Sequence, residues 1–264
     1  VTIRVGTSTT FRDTVRAAAS GKRVIINGWC AIPDAFSAEL MAAQGWDSVT
    51  IDMQHGLADY RAAIDMLRGV ASRDVWAMVR LPWIDPGLTM KLLDFGADGV
   101  VCPMVSSAAE AATVVSHCRY PPEGARSHGP LRAALGDPDY PQKANDRIVV
   151  GVQIEDRGAL ENASAIAETP GVDLLYVGPA DLSRSLGYPP ALDVDTPELL
   201  AAFDRVLEAA GRAGKAAGIH CVDPAYAEAM VRRGFGFVTV SSDTRLLAAA
   251  AQHVVAAMRG VRSV

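Results

Sequence analysis

Glu155, closing the run VVGVQIE, and Asp181, in LLYVGPADLS, each stand where an apolar β-type run gives way to a loop, and the two runs are consecutive. A carboxylate placed directly after such a run is delivered to the rim of a parallel sheet. Two from neighbouring strands converge there on a hard divalent cation and leave positions open for a substrate. Each also has a plainer explanation. Glu155 could pair with Arg157, and Asp181 could cap a short helix beginning at Leu182.

Polar side chains follow the other runs as well. Trp29 comes after the first, Asp52 and His55 after the second, Arg80 after the third, His220 after the seventh and Ser241 to Asp243 after the eighth. A polar rim on strands that themselves read as apolar points to a functional site. Arg80 offers donors in a fixed fork, suited to a substrate carbonyl, to a developing enolate oxygen, or to an ion pair with Asp52. His55, followed by Gly56, could move a proton during chemistry. Gly178 and Pro179 bend the chain ahead of Ala180, so the N–H groups of Ala180 and Asp181 at a helix start could bind a carboxylate.

The elements that must hold these residues are legible as a rhythm. The runs VIINGWCAI, SVTIDM, VWAMVRL, GVVCPMV, VVGVQIE, LLYVG, KAAGIHC and FGFVTVSS alternate with Ala-rich amphipathic segments, giving eight strands and eight helices. Continuous apolar runs belong to strands covered on both faces, as in a parallel sheet wrapped by helices. The expected fold is α/β, a single (β/α)8 TIM-type barrel domain over residues 1–264, with an extra helix from about Phe11 to Ser20 closing its bottom. Helix starts are expected at Pro33-Asp34 and Asp85-Pro86, and stops at Gly45, Gly69, Gly96, Gly214 and Gly234. Residues 119–147, rich in Pro, Gly and charge, break the rhythm. They read as a packing or interface loop, with Arg126 and His128 as further candidates for contact with the site.

Of the 264 residues, 50% are apolar, enough for a substantial core, and the net charge of -5 without a long basic run argues against nucleic acid or an anionic membrane as partner. A small-molecule substrate is favoured. Cys30, Cys102, Cys118 and Cys221 lack C-x-x-C spacing and read as reduced core residues. No run is long enough to span a bilayer, and VTIRVGTSTTFRDTV lacks the apolar core of a signal peptide, so a cytoplasmic location is expected.

Taken in order, GWCAIPDAFSAELMAAQGWDSVTIDMQHG (28–56), VRLPWIDPGLTMKLLDFGADGVVCPMV (79–105), RYPPEGAR (119–126), VQIE (152–155) and GPADLSRSLGY (178–188) resemble the HpcH/HpaI aldolases, class II metal-dependent pyruvate aldolases. The resemblance implies a barrel that binds Mg, Mn or Co through Glu155 and Asp181, with pyruvate chelating through its keto and carboxylate oxygens. It implies Gln153 beside the metal, and the amides of Ala180 and Asp181 on the substrate carboxylate. Arg80, oriented by Asp52, would bind the keto oxygen and stabilise the enolate. His55 would take part in acid/base chemistry, paired with Asp94 of an adjacent subunit, in a homo-hexamer with an exchanged helix.

The implied reaction is reversible cleavage of a 4-hydroxy-2-oxo acid to pyruvate, or a related 2-oxo acid such as hydroxypyruvate, and an aldehyde. No lysine competes for a Schiff-base role, since Lys215 begins strand seven at the wrong face, Lys91 is within a helix, and Lys22 and Lys143 lie outside the strands. Two positions depart from the family: Gln54 stands where an acidic residue usually precedes the histidine, and His220 replaces an apolar pocket residue. His220 could contact a polar aldehyde tail, contact a hydroxyl on the nucleophile, or pack neutral near the rim. Two other functions fit the same residues: a CoA-ester lyase of the citrate lyase β type, drawing on Arg80, Arg126 and Arg184, and a non-catalytic barrel that binds metal and oxo acid.

Overall fold

Ser48-Val49-Thr50-Ile51-Asp52 alternates polar and apolar side chains, and pairing of this strand on both edges sends its polar set into a barrel and its apolar set out toward the helices. The computed structural model describes residues 9–135 and 137–261. The parallel strands are β1 (Ile25–Cys30), β2 (Ser48–Asp52), β3 (Trp76–Arg80), β4 (Gly99–Cys102), β5 (Val149–Ile154), β6 (Leu174–Val177), β7 (Ala216–Cys221) and β8 (Phe237–Val240), and they close as β1-β2-β3-β4-β5-β6-β7-β8 with β8 on β1. All the strand-like runs named above are strands of this barrel. The stretch read as lacking a signal peptide begins in residues 1–8, outside the described residues.

The helices are more divided than the even alternation suggests. They are α1 (Phe11–Ala19), α2 (Ala35–Ala42), α3 (Tyr60–Val70), α4 (Pro86–Asp94), α5 (Ala108–Cys118), α6 (Tyr140–Arg147), α7 (Arg157–Glu161), α8 (Ala163–Glu168), α9 (Pro179–Ser185), α10 (Pro197–Ala213), α11 (Pro224–Arg233) and α12 (Asp243–Val261). The connections after β4, β5 and β6 thus each carry a pair. Asp34, Asp59, Asp85, Asp156 and Asp223 accept first-turn N–H groups and start the helices that leave the rim. Gly96, Gly214 and Gly234 stand at helix ends with positive φ, as read from the sequence. Gly69 does not stop α3, which continues to Val70. A Cβ at Gly69 would lie 2.3 Å from the Ala35 carbonyl oxygen, so this glycine allows α3 to approach α2.

The apolar core has two shells. One lies between sheet and helices; the other fills the barrel, where Met78, Leu174 and Phe237 meet Phe11 and Val15 of α1. Phe11 stacks on Trp76 at 5.3 Å, and Arg12 Nε donates to Asp173 Oδ1 at 2.7 Å, so α1 plugs the end where the strands begin. The middle of the barrel departs from the apolar reading: Asn27, Ser48, Thr50, Tyr176 and Thr239 all project inward and bond to one another.

The described residues of 119–147 pack against the end of α4, where Arg126, Arg132 and Tyr140 bond to Asp94, Phe95 and Leu93. Arg126 is buried between Tyr120 and Tyr140, with its Cζ 4.5 and 5.8 Å from their ring centres, and Nη2 donates to Asp94 Oδ1 at 2.7 Å. This agrees with the packing-loop reading. At the other extreme, α12 is exposed from Arg245 to Gly260, Leu247, Val254 and Met258 included, and Ile26 on the outer face of β1 is 46% exposed.

Candidate active site

Asp52 organises one side of the mouth. Its carboxylate accepts from Arg80 Nε at 2.9 Å and Nη2 at 2.7 Å, from Trp29 Nε1 at 3.2 Å, and from the N–H groups of Gln54 and His55 at 3.0 and 3.2 Å. Burial opposes its charge. The hydrogen bonds and positive charge of Arg80 outweigh that cost and hold the carboxyl below its ordinary range. The register pairs Asp52 with Arg80 directly across β2 and β3, which is why the bidentate geometry forms. A Cβ at Gly56 would lie 2.2 Å from the Asp52 carbonyl oxygen, so the chain can fold back over β2 only with glycine there. His55 is thereby fixed through its backbone while its side chain is exposed.

Trp29 spans the mouth. The Arg80 guanidinium lies 4.9 Å from its ring centre on one side, and His220 meets it edge-on at 4.8 Å on another. Burial, aided by the charge of Arg80, pushes the His220 pKa down to about 4.

Across the mouth, Glu155 follows β5 directly and is buried. Its Oε1 accepts from Met104 N–H at 2.7 Å and its Oε2 from Gln153 Nε2 at 2.5 Å, so it does not pair with Arg157. Met104, just beyond β4, has φ +55, a strained conformation for a residue with a side chain, and it aims the N–H at the carboxylate. Burial raises the Glu155 pKa to about 7, and the negative charge of Asp181 adds to the rise. At Gly178 a Cβ would meet Gln153 Nε2 at 2.5 Å and Glu155 Oε2 at 2.7 Å, so a side chain would displace this carboxylate. The helix after Gly178 begins at Pro179, not Leu182. Asp181 therefore sits inside its first turn and makes no capping bond, and the N–H groups of Ala180 and Asp181 have no protein acceptor among the described residues.

These residues fit a hard cation. The charge of Asp181 is near enough to Glu155 to add to the rise that burial causes in its pKa, and Gln153 Oε1 beside Glu155 is buried with no partner. No group of three or more His, Cys, Asp or Glu gathers among the described residues.

Not every sequence candidate joins this cluster. Asp94 ends α4, and nine residues of helix place it roughly 13 Å from the mouth end of that helix. It pairs with Arg126, and no hydrogen bond or ion pair links it to His55 within the chain. Asp243 accepts from the N–H groups of Ala31 and Ile32 at 2.9 and 3.0 Å and ties the first rim loop to the start of α12. Lys215 precedes β7 at the plugged end, near Asp173. Met104 and Tyr176 were not among the candidates. The first carried no signal beyond the C-P-M that ends its strand, and the second lay inside an apolar run.

The comparisons with known proteins agree with this geometry. The HpcH/HpaI aldolase/citrate lyase family matches residues 28–250. The chain is 38% identical to the hydroxypyruvate/pyruvate aldolase of Rhizorhabdus wittichii over 248 residues, covering 94% of this chain and 99% of that one. It is 37% identical to the 4-hydroxy-2-oxo-heptane-1,7-dioate aldolase of Shigella flexneri, covering 93% of each. Among solved structures, an HpcH/HpaI aldolase/citrate lyase family protein from Burkholderia cenocepacia superposes with a TM-score of 0.87 at 33% identity, covering 94% of this chain and 99% of that one.

Proposed function

The chain belongs to the HpcH/HpaI aldolase/citrate lyase family, and from that premise we propose that it is a carbon–carbon lyase that reversibly cleaves a 4-hydroxy-2-oxo acid to pyruvate, or a related 2-oxo acid, and an aldehyde. The observation that carries this reading is the buried Asp52–Arg80 fork standing across the mouth from the buried Glu155. Cleavage leaves an enolate, and a site for it needs fixed positive charge where the oxygen gains electrons. Arg80 spends Nε and Nη2 on Asp52, which leaves Nη1 for that oxygen. The amides of Ala180 and Asp181 receive the substrate carboxylate. A divalent cation such as Mg, Mn or Co held by Glu155 and Asp181, with Gln153 beside it, would supply further Lewis-acid stabilisation of the enolate.

His55 takes the proton of the C4 hydroxyl as the bond breaks, and Asp94 of an adjacent subunit supports it. Two features favour that composite arrangement. Asp94 is held by Arg126 and makes no hydrogen bond or ion pair with His55 of its own chain, and the rim beside His55 carries exposed Leu57 and Trp83, suited to an interface. The uncovered α12 and bare Ile26 fit exchange of that helix between subunits of a homo-oligomer, a hexamer by the family resemblance.

The CoA-ester reading loses ground, because Arg80 is engaged by Asp52 and Arg126 is buried against Asp94, leaving Arg184 alone of the three at the surface. The binding-only reading predicts no turnover. Incubation of pyruvate and hydroxypyruvate with short, hydroxylated and aromatic aldehydes, with Mg, Mn or Co, tests the proposal. Formation of a 4-hydroxy-2-oxo acid is expected, and its absence across the panel would overturn it. No helix among the described residues is long and apolar enough to cross a membrane.

A further inference from the structure

His220 ends a chain of hydrogen bonds that runs down through the barrel, and the donor roles along the rest of the chain bear on the one bond whose direction depends on the histidine tautomer. Ser48 Oγ and Thr50 Oγ1 donate to Asn27 Oδ1 at 2.8 and 3.1 Å, which turns the Asn27 amide so that Nδ2 donates to Thr239 Oγ1 at 2.9 Å. Tyr176 also donates its phenolic proton to Thr239 Oγ1, at 2.7 Å. The phenol oxygen can then act only as an acceptor toward His220 Nδ1, 3.3 Å away. With that orientation of the phenol, the His220 proton is assigned to Nδ1 and Nε2 carries a bare lone pair.

That lone pair has no partner among the described residues and keeps contact with solvent at the mouth. The ring is held by the edge-on contact with Trp29, whose face carries Arg80. Gly218 makes room for the supporting tyrosine: a Cβ there would lie 2.9 Å from Tyr176 Cδ2. Burial and the charge of Arg80 keep the imidazole neutral, so it offers an acceptor and no donor toward the mouth. An acceptor of this kind favours an O–H and disfavours a carboxylate or a second carbonyl.

We propose that Nε2 of His220, locked as an acceptor by Tyr176, Thr239 and Asn27, reads a hydroxyl on C3 of the 2-oxo acid nucleophile, making this a specificity-determining residue for hydroxylated donors. The assignment to the nucleophile rests on the proposed aldolase function and on the contact of Trp29 with both His220 and Arg80, since Arg80 marks the carbonyl next to C3.

The test omits the aldehyde. Exchange of C3 hydrogens with D2O is followed by NMR for hydroxypyruvate and for pyruvate, with the metal-loaded wild type and with His220→Phe, His220→Gln and Tyr176→Phe. The ratio of the two exchange rates should fall about tenfold in His220→Phe, as for loss of one hydrogen bond near a charged centre. It should recover in His220→Gln, whose Oε1 can stand where Nε2 stood, and fall less in Tyr176→Phe. Histidine nitrogen shifts of the wild type should report a protonated Nδ1 and a bare Nε2 for His220. Exchange of both donors with a ratio unchanged in folded His220→Phe would overturn the specificity role while leaving the aldolase reading intact, and would move the contact to the aldehyde. Exchange of neither donor by the wild type would overturn both.

Discussion

Asp52 grips Arg80 along the guanidinium edge, Nε to Oδ1 at 2.9 Å and Nη2 to Oδ2 at 2.7 Å, with both side chains buried. The pair is thus a single aimed device. Arg80→Lys keeps a charge but not the fork, and should lower kcat/KM by roughly two to three orders of magnitude, as for loss of one oxyanion donor. Asp52→Ala should also cost about 3–5 kcal/mol of stability, because it strands a buried cation. Steady-state rates and urea midpoints check both; an Arg80→Lys enzyme with the full rate would make the arginine merely structural.

Metal dependence follows from the opposite side of the mouth. Turnover should vanish after EDTA treatment and return with Mg, Mn or Co, and Glu155→Ala should bind metal weakly by calorimetry. Gly178→Ala should act similarly, since its Cβ would push against the Glu155 carboxylate and Gln153 amide. A metal-stripped protein that keeps full activity would sink the class II mechanism.

Stability should respond to pH through His220. Its pKa in the fold lies near 4 against an ordinary 6.5. Above pH 6.5 it is neutral in both folded and unfolded chains and contributes nothing. Between pH 6.5 and 4 the unfolded chain takes up a proton that the folded chain refuses, so stability falls, by about 3 kcal/mol at most. Denaturation of wild type and His220→Gln across this range should give a shallower fall in the variant. Parallel curves would show that the imidazole is not held neutral.

The proposed composite site predicts complementation between defective subunits. Asp94 also holds buried Arg126, so Asp94→Asn, which keeps an acceptor for the guanidinium, is a better partner than alanine. His55→Ala and Asp94→Asn proteins, each inactive, should recover part of the activity after joint unfolding and reassembly. Mixed oligomers verified with two affinity tags and still inactive would exclude catalysis across the subunit boundary.

Much of this architecture was visible in the sequence because it is periodic. Runs such as GVVCPMV and VVGVQIE are strands since both faces are buried, and Asp52, Arg80 and Glu155 stand out as charges placed where such runs end. The barrel interior was hidden for the same reason. Tyr176 and Asn27 sit in runs that look apolar, and only their contacts reveal a polar layer, although the alternation of SVTID was a readable trace of it. Met104 escaped because its contribution is a backbone N–H aimed by a left-handed φ, and side-chain type does not encode that. Pairing of Asp94 with Arg126 joins positions 32 residues apart and depends on how the 119–147 segment folds back.

The plug formed by Phe11 and Trp76 has a kinetic meaning. With that end closed by α1, substrates would enter and leave at the mouth, and depth in the barrel would become order in time. On the proposed assignment, a 2-oxo acid held against Arg80 and Glu155 would lie beneath an aldehyde that meets His55, so in synthesis the acid would bind first, and in cleavage the aldehyde would depart first. The enolate would then be uncovered for an interval with its carbon nucleophile facing the mouth. In that interval one donor can be offered to whichever aldehyde arrives, and the enzyme's tolerance toward aldehydes becomes a matter of waiting time as much as of fit.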